Sequence, residues 1–305
     1  MFKKDLLGLK DVEKQDIQYL LDRGSQFRDL LDSGKKSFDI LKGKSITTLF
    51  YENSTRTMTS FANAGKFLGA TVANLAVASS SVKKGETLID TGETLDALMT
   101  DAIIIRHSVS GAPKFLAENV KAHVINAGDG LHAHPSQALL DMLTMQRYFG
   151  KVEGLKVAIV GDIKHSRVVR SNIYGLTTMG ASVKLFSPYT LRATGIEKMG
   201  NVEVEDTLQD AIKDADVVMG LRIQLERQQQ GLFPSLSEYF KYYGVKESDI
   251  ESLKKRPIIM HPGPVNRDVE LSSGVIDAEY SHILDQVSNG ISVRMAILET
   301  LLKEN

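Results

Sequence analysis

Short apolar runs rich in β-branched residues alternate along the chain with longer segments of helical period, and this alternation limits the fold more than any other feature. Each longer segment carries its apolar residues on one face, as helices that cover a sheet do. Parallel strands need such crossover helices between them, so the pattern predicts parallel α/β sheets. The predicted strands are 45–50, 71–76, 102–106, 123–127, 157–161, 182–186, 217–219 and 258–260.

A glycine-bearing segment divides this alternation into two halves. A chain of 305 residues is long enough for about two domains. The helical segment that ends at Phe149 is followed by Gly150 and Gly154 before the next predicted strand begins. We therefore predict an α/β protein with two doubly wound parallel-sheet domains, 1–149 and 150–287. A last helix, at about 288–305, is expected to pack back on the first domain.

Composition narrows the classes of function. Charged residues make up 25% of the chain and the formal net charge is -1, so the basic surface of a nucleic-acid-binding protein is not expected. The absence of cysteine excludes disulfides, thiol catalysis and cysteine-ligated metals. No apolar segment follows Met1-Phe2-Lys3 as in a signal peptide, and no run is long enough to span a membrane. These features predict a cytoplasmic protein without a membrane or nucleic-acid partner.

The segment after the first predicted strand has the pattern of an anion site. Ser54, Thr55 and Thr57 place three hydroxyls around Arg56, where a helix is predicted to begin. Free N–H groups at a helix start attract anions, and a guanidinium fork with several hydroxyls suits a dianionic phosphate. The alternative is that Ser54 and Thr55 are only an ordinary helix N-cap.

Two further strand ends in the first half carry polar side chains. Arg106 ends the predicted strand 102–106, and His134 and Gln137 flank Pro135 at a predicted helix start. Open α/β sheets bind ligands beyond the carboxyl ends of their strands. The helix dipole disfavours a cationic His134, so we expect a neutral imidazole that donates to a carbonyl oxygen. His132 and His134 could also bind a metal, but no third ligand at a convincing spacing is present, and we predict no metal site.

A polar loop at 79–87 contains Ser80, Lys83 and Lys84 and follows the predicted strand 71–76. It is longer than a tight turn and carries two cationic side chains. Loops of this kind can reach over a neighbouring pocket. The alternative is a solvated loop without a ligand.

The second half opens with a strand that resembles the start of a dinucleotide fold, but the following turn lacks the three glycines that let a pyrophosphate approach. This argues against a nicotinamide dehydrogenase. Ser166 and Arg167 at the next helix start favour a small carboxylate instead. Arg222 and Gln224 follow a later strand and would share one face of it. Each of these side chains could otherwise be an ordinary surface group.

A stiff loop, His261-Pro262-Gly263-Pro264, follows the last predicted strand. Its prolines have preset backbone angles, and exposed carbonyls in such a loop can accept hydrogen bonds from an NH₂ group. The alternative is a turn without a binding role.

Together these motifs resemble the carbamoyltransferase family over nearly the whole chain. Ser54-Thr55-Arg56-Thr57 is similar to the carbamoyl phosphate motif of that family, and Arg106 with His134-Pro135-x-Gln137 matches its remaining contacts to this substrate. The chain departs from the family pattern at Met58, where a second arginine is usual, and at Ala133, where a glutamate is common.

Within the family, the chain resembles the branch that uses aspartate. Lys84, Arg167, Arg222 and Gln224 lie in segments similar to the aspartate motifs of that branch. The Ser-Met-Gly motif and the His-Cys-Leu-Pro loop of the ornithine branch are missing from the sequence.

This resemblance implies transfer of the carbamoyl group of carbamoyl phosphate to the α-amino group of L-aspartate. The products are N-carbamoyl-L-aspartate and phosphate, on the pyrimidine pathway to UMP, and no cofactor is implied. The active site is expected in the cleft between the domains. The implied roles are oxyanion stabilisation by Thr57, Arg106 and His134; phosphate binding by Ser54, Thr55, Arg56, Thr57 and Lys84; NH₂ binding by Gln137, Pro262, Gly263 and Pro264; and aspartate binding by Lys84, Arg167, Arg222 and Gln224.

The resemblance also implies a homotrimer in which Ser80 and Lys84 reach the active site of a neighbouring chain. A latch between Glu52 and the arginines Arg167 and Arg227 is expected when aspartate binds. Regulatory or dihydroorotase subunits are left open. The alternatives are a carbamoyltransferase with another acceptor, such as ornithine, and a non-catalytic protein that binds anions or amino acids on the same fold.

Overall fold

The computed structural model describes residues 4–76, 85–224 and 235–303, and the chain divides into two compact units. Unit 1 comprises Met1–Leu143 and Ser288–Asn305, and unit 2 comprises Thr144–Val287. Each unit contains a β sheet in which every pair of neighbouring strands is parallel. The prediction of two parallel-sheet α/β domains is confirmed.

The strands and helices follow one another in the predicted alternation. The strands are β1 (Ser45–Phe50), β2 (Thr71–Ala76), β3 (Ala102–His107), β4 (His123–Asp129), β5 (Lys156–Val160), β6 (Ser182–Phe186), β7 (Val202–Val204), β8 (Val217–Gly220) and β9 (Ile258–Met260). The helices are α1 (Lys14–Asp32), α2 (Thr55–Phe67), α3 (Leu88–Ala97), α4 (Ala112–Ala117), α5 (Pro135–Phe149), α6 (Arg167–Thr178), α7 (Leu208–Ile212), α8 (Leu236–Tyr243), α9 (Glu247–Glu251), α10 (Ser273–Asp277) and α11 (Ile283–Leu302). Two short 3₁₀ helices lie at Tyr189–Leu191 and Ile196–Met199.

The sheet of unit 1 has the strand order β2-β1-β3-β4. Its inner strands are continuous apolar runs because helices cover both faces of a parallel sheet; Ile103, Ile104 and Ile105 are fully buried. The C-terminal helix α11 lies against α1 in this unit. Arg23 on α1 binds the Glu299 carboxylate with Nε at 2.5 Å and Nη2 at 2.8 Å.

The sheet of unit 2 has the order β7-β6-β5-β8-β9. Buried apolar residues from β5, β8 and β9, such as Ala158, Val218 and Ile259, form one core cluster with α7 and α9. The edge strand β7 was not predicted from the sequence. It has only three residues, and two of them are exposed, so it lacks the apolar run by which the other strands are identified.

Each sheet has one point at which the chain reverses its direction of progress. From β1 the chain passes to β2 on one side and later to β3 on the other, and from β5 it passes to β6 and later to β8. Open α/β sheets bind ligands at such switch points, beyond the carboxyl ends of the two strands. None of the helices in the described ranges is long and apolar enough to cross a membrane.

Candidate active site

The predicted phosphate motif lies directly beyond the switch-point strand β1. Helix α2 begins at Thr55 with Ser54 at its N-cap position, and the first helical hydrogen bond runs from Met58 N–H to Ser54 O at 3.0 Å. Within the described residues the Ser54 hydroxyl makes no capping bond, whereas Thr87 caps α3 by accepting from Asp90 N–H. The Ser54 side chain therefore does not act as an ordinary N-cap, and the helix start keeps the features of an anion site.

The four residues of this motif differ in burial. Thr57 is 7% exposed, Ser54 is half-buried, and Thr55 and Arg56 are exposed. Thr57 is thus held by packing, while the guanidinium of Arg56 is accessible to a ligand. Met58, which replaces the usual arginine of the family, is half-buried.

Arg106 lies at the end of β3, the other switch-point strand, and is paired in register with Phe50 of β1. Its Nη1 donates to the carbonyl oxygen of Ala127 at 3.3 Å, and its Nε lies 3.4 Å from Oε2 of Glu52. The guanidinium is therefore positioned next to the phosphate motif by the sheet and by two groups of unit 1.

His107 follows Arg106 and packs against Tyr51, with 4.5 Å between the ring centroids. Its Nδ1 accepts from Val109 N–H at 2.9 Å. Burial lowers the pKa of His107 despite the opposing effect of Glu52, so this imidazole is neutral at pH 7. Arg106, and not His107, supplies positive charge at this strand end.

The loop between β4 and α5 places His134 and Gln137, which are 5% and 8% exposed. Asp129 organises this loop. Its carboxylate accepts from Gly111 N–H at 2.7 Å, from Ala133 N–H at 3.0 Å and from the Asn126 side chain at 2.8 Å. His132 also binds this carboxylate, with its Nδ1 at 3.0 Å.

Asp129 is nearly fully buried, and burial alone raises its pKa. The hydrogen bonds from His132, Gly111 and Asn126 oppose this effect and hold the pKa of Asp129 below its ordinary value. The carboxylate is therefore ionised at neutral pH and fixes the segment that leads to His134. Across the described residues, no group of three His, Asp or Glu side chains could hold a metal ion.

In unit 2, Ser166 and Arg167 lie at the start of α6, after the loop that follows β5. Ser166 is the N-cap of α6, and its hydroxyl accepts from Val169 N–H at 3.4 Å. Arg170 donates to Ser166 O at 3.0 Å and to Lys164 O at 3.3 Å, which ties the loop to the helix. Arg167 is the first residue of α6 and is 4% exposed.

Arg222 and Gln224 lie directly beyond β8, the second switch-point strand of unit 2, and both are half-buried. Two buried carboxylates hold the backbone of this segment. Glu270 accepts from Ile223 N–H at 2.9 Å, and Asp162 is in contact with Gln224 N–H at 3.4 Å. Asp162 also accepts from His165 N–H at 3.1 Å, so it links the strand ends that carry Arg167 and Arg222.

Gly161 allows the ends of β5 and β8 to approach one another. Its φ is +133°, and a Cβ at this position would lie 2.6 Å from the carbonyl oxygen of Leu221. A side chain at residue 161 would therefore push away the segment that carries Arg222.

The loop after β9 carries Pro262, Gly263 and Pro264 and is partly exposed. His261 anchors it: its N–H donates to Gln286 Oε1, and its Nδ1 accepts from Gly263 N–H, each at 2.8 Å. Glu270 holds the far end of the loop through Asn266 N–H and Nδ2, both at 2.8 Å. The predicted stiffness of this loop thus has a hydrogen-bonding basis in addition to its prolines.

The fold collects the predicted residues at neighbouring strand ends within each unit. In unit 1 they lie beyond β1, β3 and β4, and in unit 2 beyond β5, β8 and β9. Ser80, Lys83, Lys84 and Arg227 fall outside the described residues. The sequence interpretation did not identify Asp129, Asp162 and Glu270 as functional residues. The first two stand at or just after a strand end, which is a usable sequence signal.

Comparison with known proteins gives matches in both halves of the chain. Residues 4–147 match the family model described as aspartate/ornithine carbamoyltransferase, carbamoyl-P binding domain. Residues 153–301 match the model described as aspartate/ornithine carbamoyltransferase, Asp/Orn binding domain.

Similar sequences cover almost the full chain. The aspartate carbamoyltransferase catalytic subunit of Ruminiclostridium cellulolyticum is 56% identical over 300 residues, which are 98% of this chain and 96% of the relative. That of Acetivibrio thermocellus is 57% identical over 302 residues, covering 99% and 96%.

Solved structures of similar fold include aspartate transcarbamoylase from Trypanosoma cruzi in complex with N-(phosphonacetyl)-L-aspartic acid. It has a TM-score of 0.89 and 31% identity over 98% of this chain and 96% of the other. The catalytic subunit of the M. jannaschii aspartate transcarbamoylase has a TM-score of 0.85 and 37% identity, with 99% of each chain covered.

Proposed function

The chain belongs to the aspartate/ornithine carbamoyltransferase family, and we propose that it carbamoylates L-aspartate with carbamoyl phosphate. The products are N-carbamoyl-L-aspartate and phosphate. The observation that carries this proposal is the chemistry of the two switch points. The switch point of unit 1 bears the phosphate motif and Arg106, and the switch point of unit 2 bears Arg167 and Arg222.

Unit 1 suits carbamoyl phosphate. In our proposal Arg56 and the first turn of α2 bind the phosphate, with Ser54, Thr55 and Thr57 as hydroxyl donors. Arg106, Thr57 and His134 stabilise the carbonyl oxygen as negative charge develops on it. His134 is buried at the start of α5, and a neutral imidazole at this place can donate one hydrogen bond without adding a second positive charge.

Unit 2 suits an acceptor with two carboxylates. Arg167 and Arg222 each offer a fork of donors, and a guanidinium binds a carboxylate bidentately. In this proposal Gln224 and Lys84 also contribute to aspartate binding. An acceptor such as ornithine brings a second ammonium group, which two arginines would repel, so the same residues argue against it.

In the reaction the neutral α-amine of aspartate attacks the carbamoyl carbon. A carbon–nitrogen bond forms, the bond from that carbon to the phosphate oxygen breaks, and the released phosphate accepts the amine proton. Gln137 and the backbone of residues 262–264 hold the carbamoyl NH₂. With no protein base required, the rate comes from positioning and from preorganised charge.

The assembly and location belong to the same proposal. We place the protein in the cytoplasm, on the pyrimidine pathway, as a homotrimer in which Ser80 and Lys84 serve a neighbouring active site. The motif resemblance supports this arrangement. Mixing inactive Lys84→Ala and Arg106→Ala chains tests it, because hybrid trimers would contain some sites with neither change and regain activity. Complete inactivity of assembled hybrids would contradict it.

Parallel turnover assays with aspartate, ornithine and putrescine test the proposed acceptor. We expect a carbamoylated product with aspartate and not with the two amines that lack a second carboxylate. Product with ornithine alone would overturn the assignment. Binding of carbamoyl phosphate without turnover of any amine would favour the non-catalytic alternative.

A further inference from the structure

A buried carboxylate lies one helical turn beyond Gln137 and has no role in the mechanism above. Asp141 follows Gln137 by four residues on α5, so the two side chains are neighbours on the helix surface. Gln137 Nε2 lies 2.9 Å from Asp141 Oδ1. Asp141 is fully buried and Gln137 nearly so, and the contact is therefore shielded from water.

This contact determines which way the Gln137 amide faces. A glutamine amide has a donor end, NH₂, and an acceptor end, Oε1, and its orientation follows from its hydrogen-bond partners. An ionised carboxylate can only accept. The NH₂ end of Gln137 is therefore turned towards Asp141, to which it donates one of its two N–H groups, and the opposite end, Oε1, can accept a hydrogen bond from a different group.

A buried arginine supports the ionised form of Asp141. Arg294 on α11 is 4% exposed, donates from Nη1 to Ser60 Oγ at 2.9 Å, and lies 5.0 Å from the centroid of the Phe61 ring. Burial lowers the pKa of Arg294 to about 10, and the charge of Asp141 opposes this shift. The attraction is mutual, so the cation at Arg294 favours the carboxylate at Asp141.

A glycine on α11 leaves space for the Arg294 side chain. A Cβ at Gly290, one turn before Arg294 on α11, would lie 2.5 Å from Nη1 of Arg294. Unit 1 thus buries a cation at Arg294 and a carboxylate at Asp141, and the carboxylate is bonded to Gln137. Two ionised groups are costly to bury, and a role in orienting a substrate contact gives them a function.

We propose that Asp141 is a positioning residue that makes the enzyme selective for a carbamoyl group by turning the Gln137 oxygen towards the substrate NH₂. This inference rests on the proposed function. The competing ligand class is acyl phosphates such as acetyl phosphate, which have the same shape and charge but a methyl group in place of NH₂. A methyl group cannot donate, so the buried Oε1 would lose its partner when such a ligand binds.

Asp141→Asn should remove this selectivity. Asparagine has one acceptor oxygen, and the positive charge of Arg294 attracts that oxygen, which turns the asparagine NH₂ towards Gln137. The Gln137 amide then reverses and presents its own NH₂ to the ligand. The NH₂ group of Gln137 would then face the NH₂ group of the ligand, and two donors cannot bond to one another. Binding of a ligand with a methyl group at this place would be weakened much less.

The test compares two phosphonates that the enzyme cannot turn over: phosphonoacetamide, which carries the NH₂ group, and acetonylphosphonate, which carries a methyl group instead. Calorimetry gives the ratio of their dissociation constants. We expect the wild-type protein to prefer the amide by roughly tenfold, and Asp141→Asn to reduce this preference to about twofold or less. Weaker packing alone would affect both ligands alike and leave the ratio unchanged.

Asp22→Asn is the matched control. Gln18 Nε2 donates to Asp22 Oδ1 at 2.7 Å with the same four-residue spacing, but on the exposed face of α1. The selectivity ratio of this variant should equal that of the wild type.

A second variant covers the case in which Asp141→Asn fails to fold because the buried Arg294 loses the opposing charge of Asp141. Asp141→Leu combined with Arg294→Met removes both charges, which buried pairs often tolerate, and should also abolish the preference. A preference retained in either folded variant would overturn the inference, as would a wild-type protein that does not distinguish the two phosphonates. The ratio needs no turnover, so failure of the proposed function would be seen separately, in the absence of carbamoyl transfer.

Discussion

The Nε atom of Arg106 lies 3.4 Å from the Glu52 carboxylate, and both side chains belong to unit 1. Because Arg106 Nη1 also donates to Ala127 O, two edges of the guanidinium are held before any substrate binds. Donors that are already oriented contribute most to transition-state stabilisation, since they need not reorganise during the reaction. Glu52 therefore has a role within its own unit, besides the latch with Arg167 and Arg227 that stays a prediction.

Glu52→Gln should weaken binding of phosphonoacetamide several-fold, because Arg106 loses the charge that holds its Nε edge. Calorimetry measures this directly. Glu118→Gln, in the exposed pair with Lys114 on the same unit, is the control and should have no effect. Unchanged phosphonoacetamide affinity with a raised KM for aspartate would instead favour the latch.

Arg56→Ala should lower kcat by on the order of a hundredfold or more, with little change in the KM for aspartate. The reason is that the proposed Arg56 contact strengthens as the phosphate leaves. Steady-state kinetics measure both constants. Arg56→Lys retains the charge but not the fork of donors, so its kcat should lie between that of the wild type and that of Arg56→Ala. An unaltered kcat in Arg56→Ala would rule out this role.

Glu270→Gln should raise the KM for aspartate by roughly fivefold or more. The carboxylate accepts from Ile223 N–H and from both nitrogens of Asn266, whereas an amide has one acceptor oxygen and would turn its NH₂ towards a donor. Arg222 would then lose its fixed backbone. Asp277→Asn, which breaks the exposed pair with Arg267, is the control. A normal aspartate KM in Glu270→Gln would show that this carboxylate does not position Arg222.

Asp129→Asn should destabilise the protein in a pH-dependent manner. The pKa of Asp129 is lower in the folded protein than in the unfolded chain, so its stabilising effect is complete above the unfolded value of about 4 and is lost as the pH falls through the folded value. We expect the wild type to exceed the variant by about 1 to 3 kcal/mol in unfolding free energy at pH 7. Urea titrations should show this difference shrinking below pH 4, and a constant difference would contradict the account.

Local sequence patterns were sufficient to predict most strands of both sheets and the strand ends that carry the motif residues. The runs at β1, β3 and β5 are buried on both faces, and their short length and β-branched residues favour a strand over a buried helix. The helix start at Ser54 was also predictable, because hydroxyl residues there follow a strand directly.

Long-range partners were not predictable from one sequence. Glu270 lies 47 residues from Ile223, and only the fold shows that its carboxylate holds the segment with Arg222. Similarly, the absence of a capping bond from Ser54 within the described residues depends on the three-dimensional arrangement of the loop before α2. The same limit applies to Arg294, whose neighbours Ser60 and Phe61 are distant in sequence.

Nuclear magnetic resonance of the reaction between ¹³C-labelled carbamoyl phosphate and L-aspartate follows the proposed carbamoyl transfer atom by atom. We expect the label to move to the ureido carbon of N-carbamoyl-L-aspartate with one phosphate released per product, and Arg106→Ala to abolish nearly all of this transfer. Phosphate release without a labelled ureido carbon, or transfer of the label to ornithine in preference to aspartate, would contradict it.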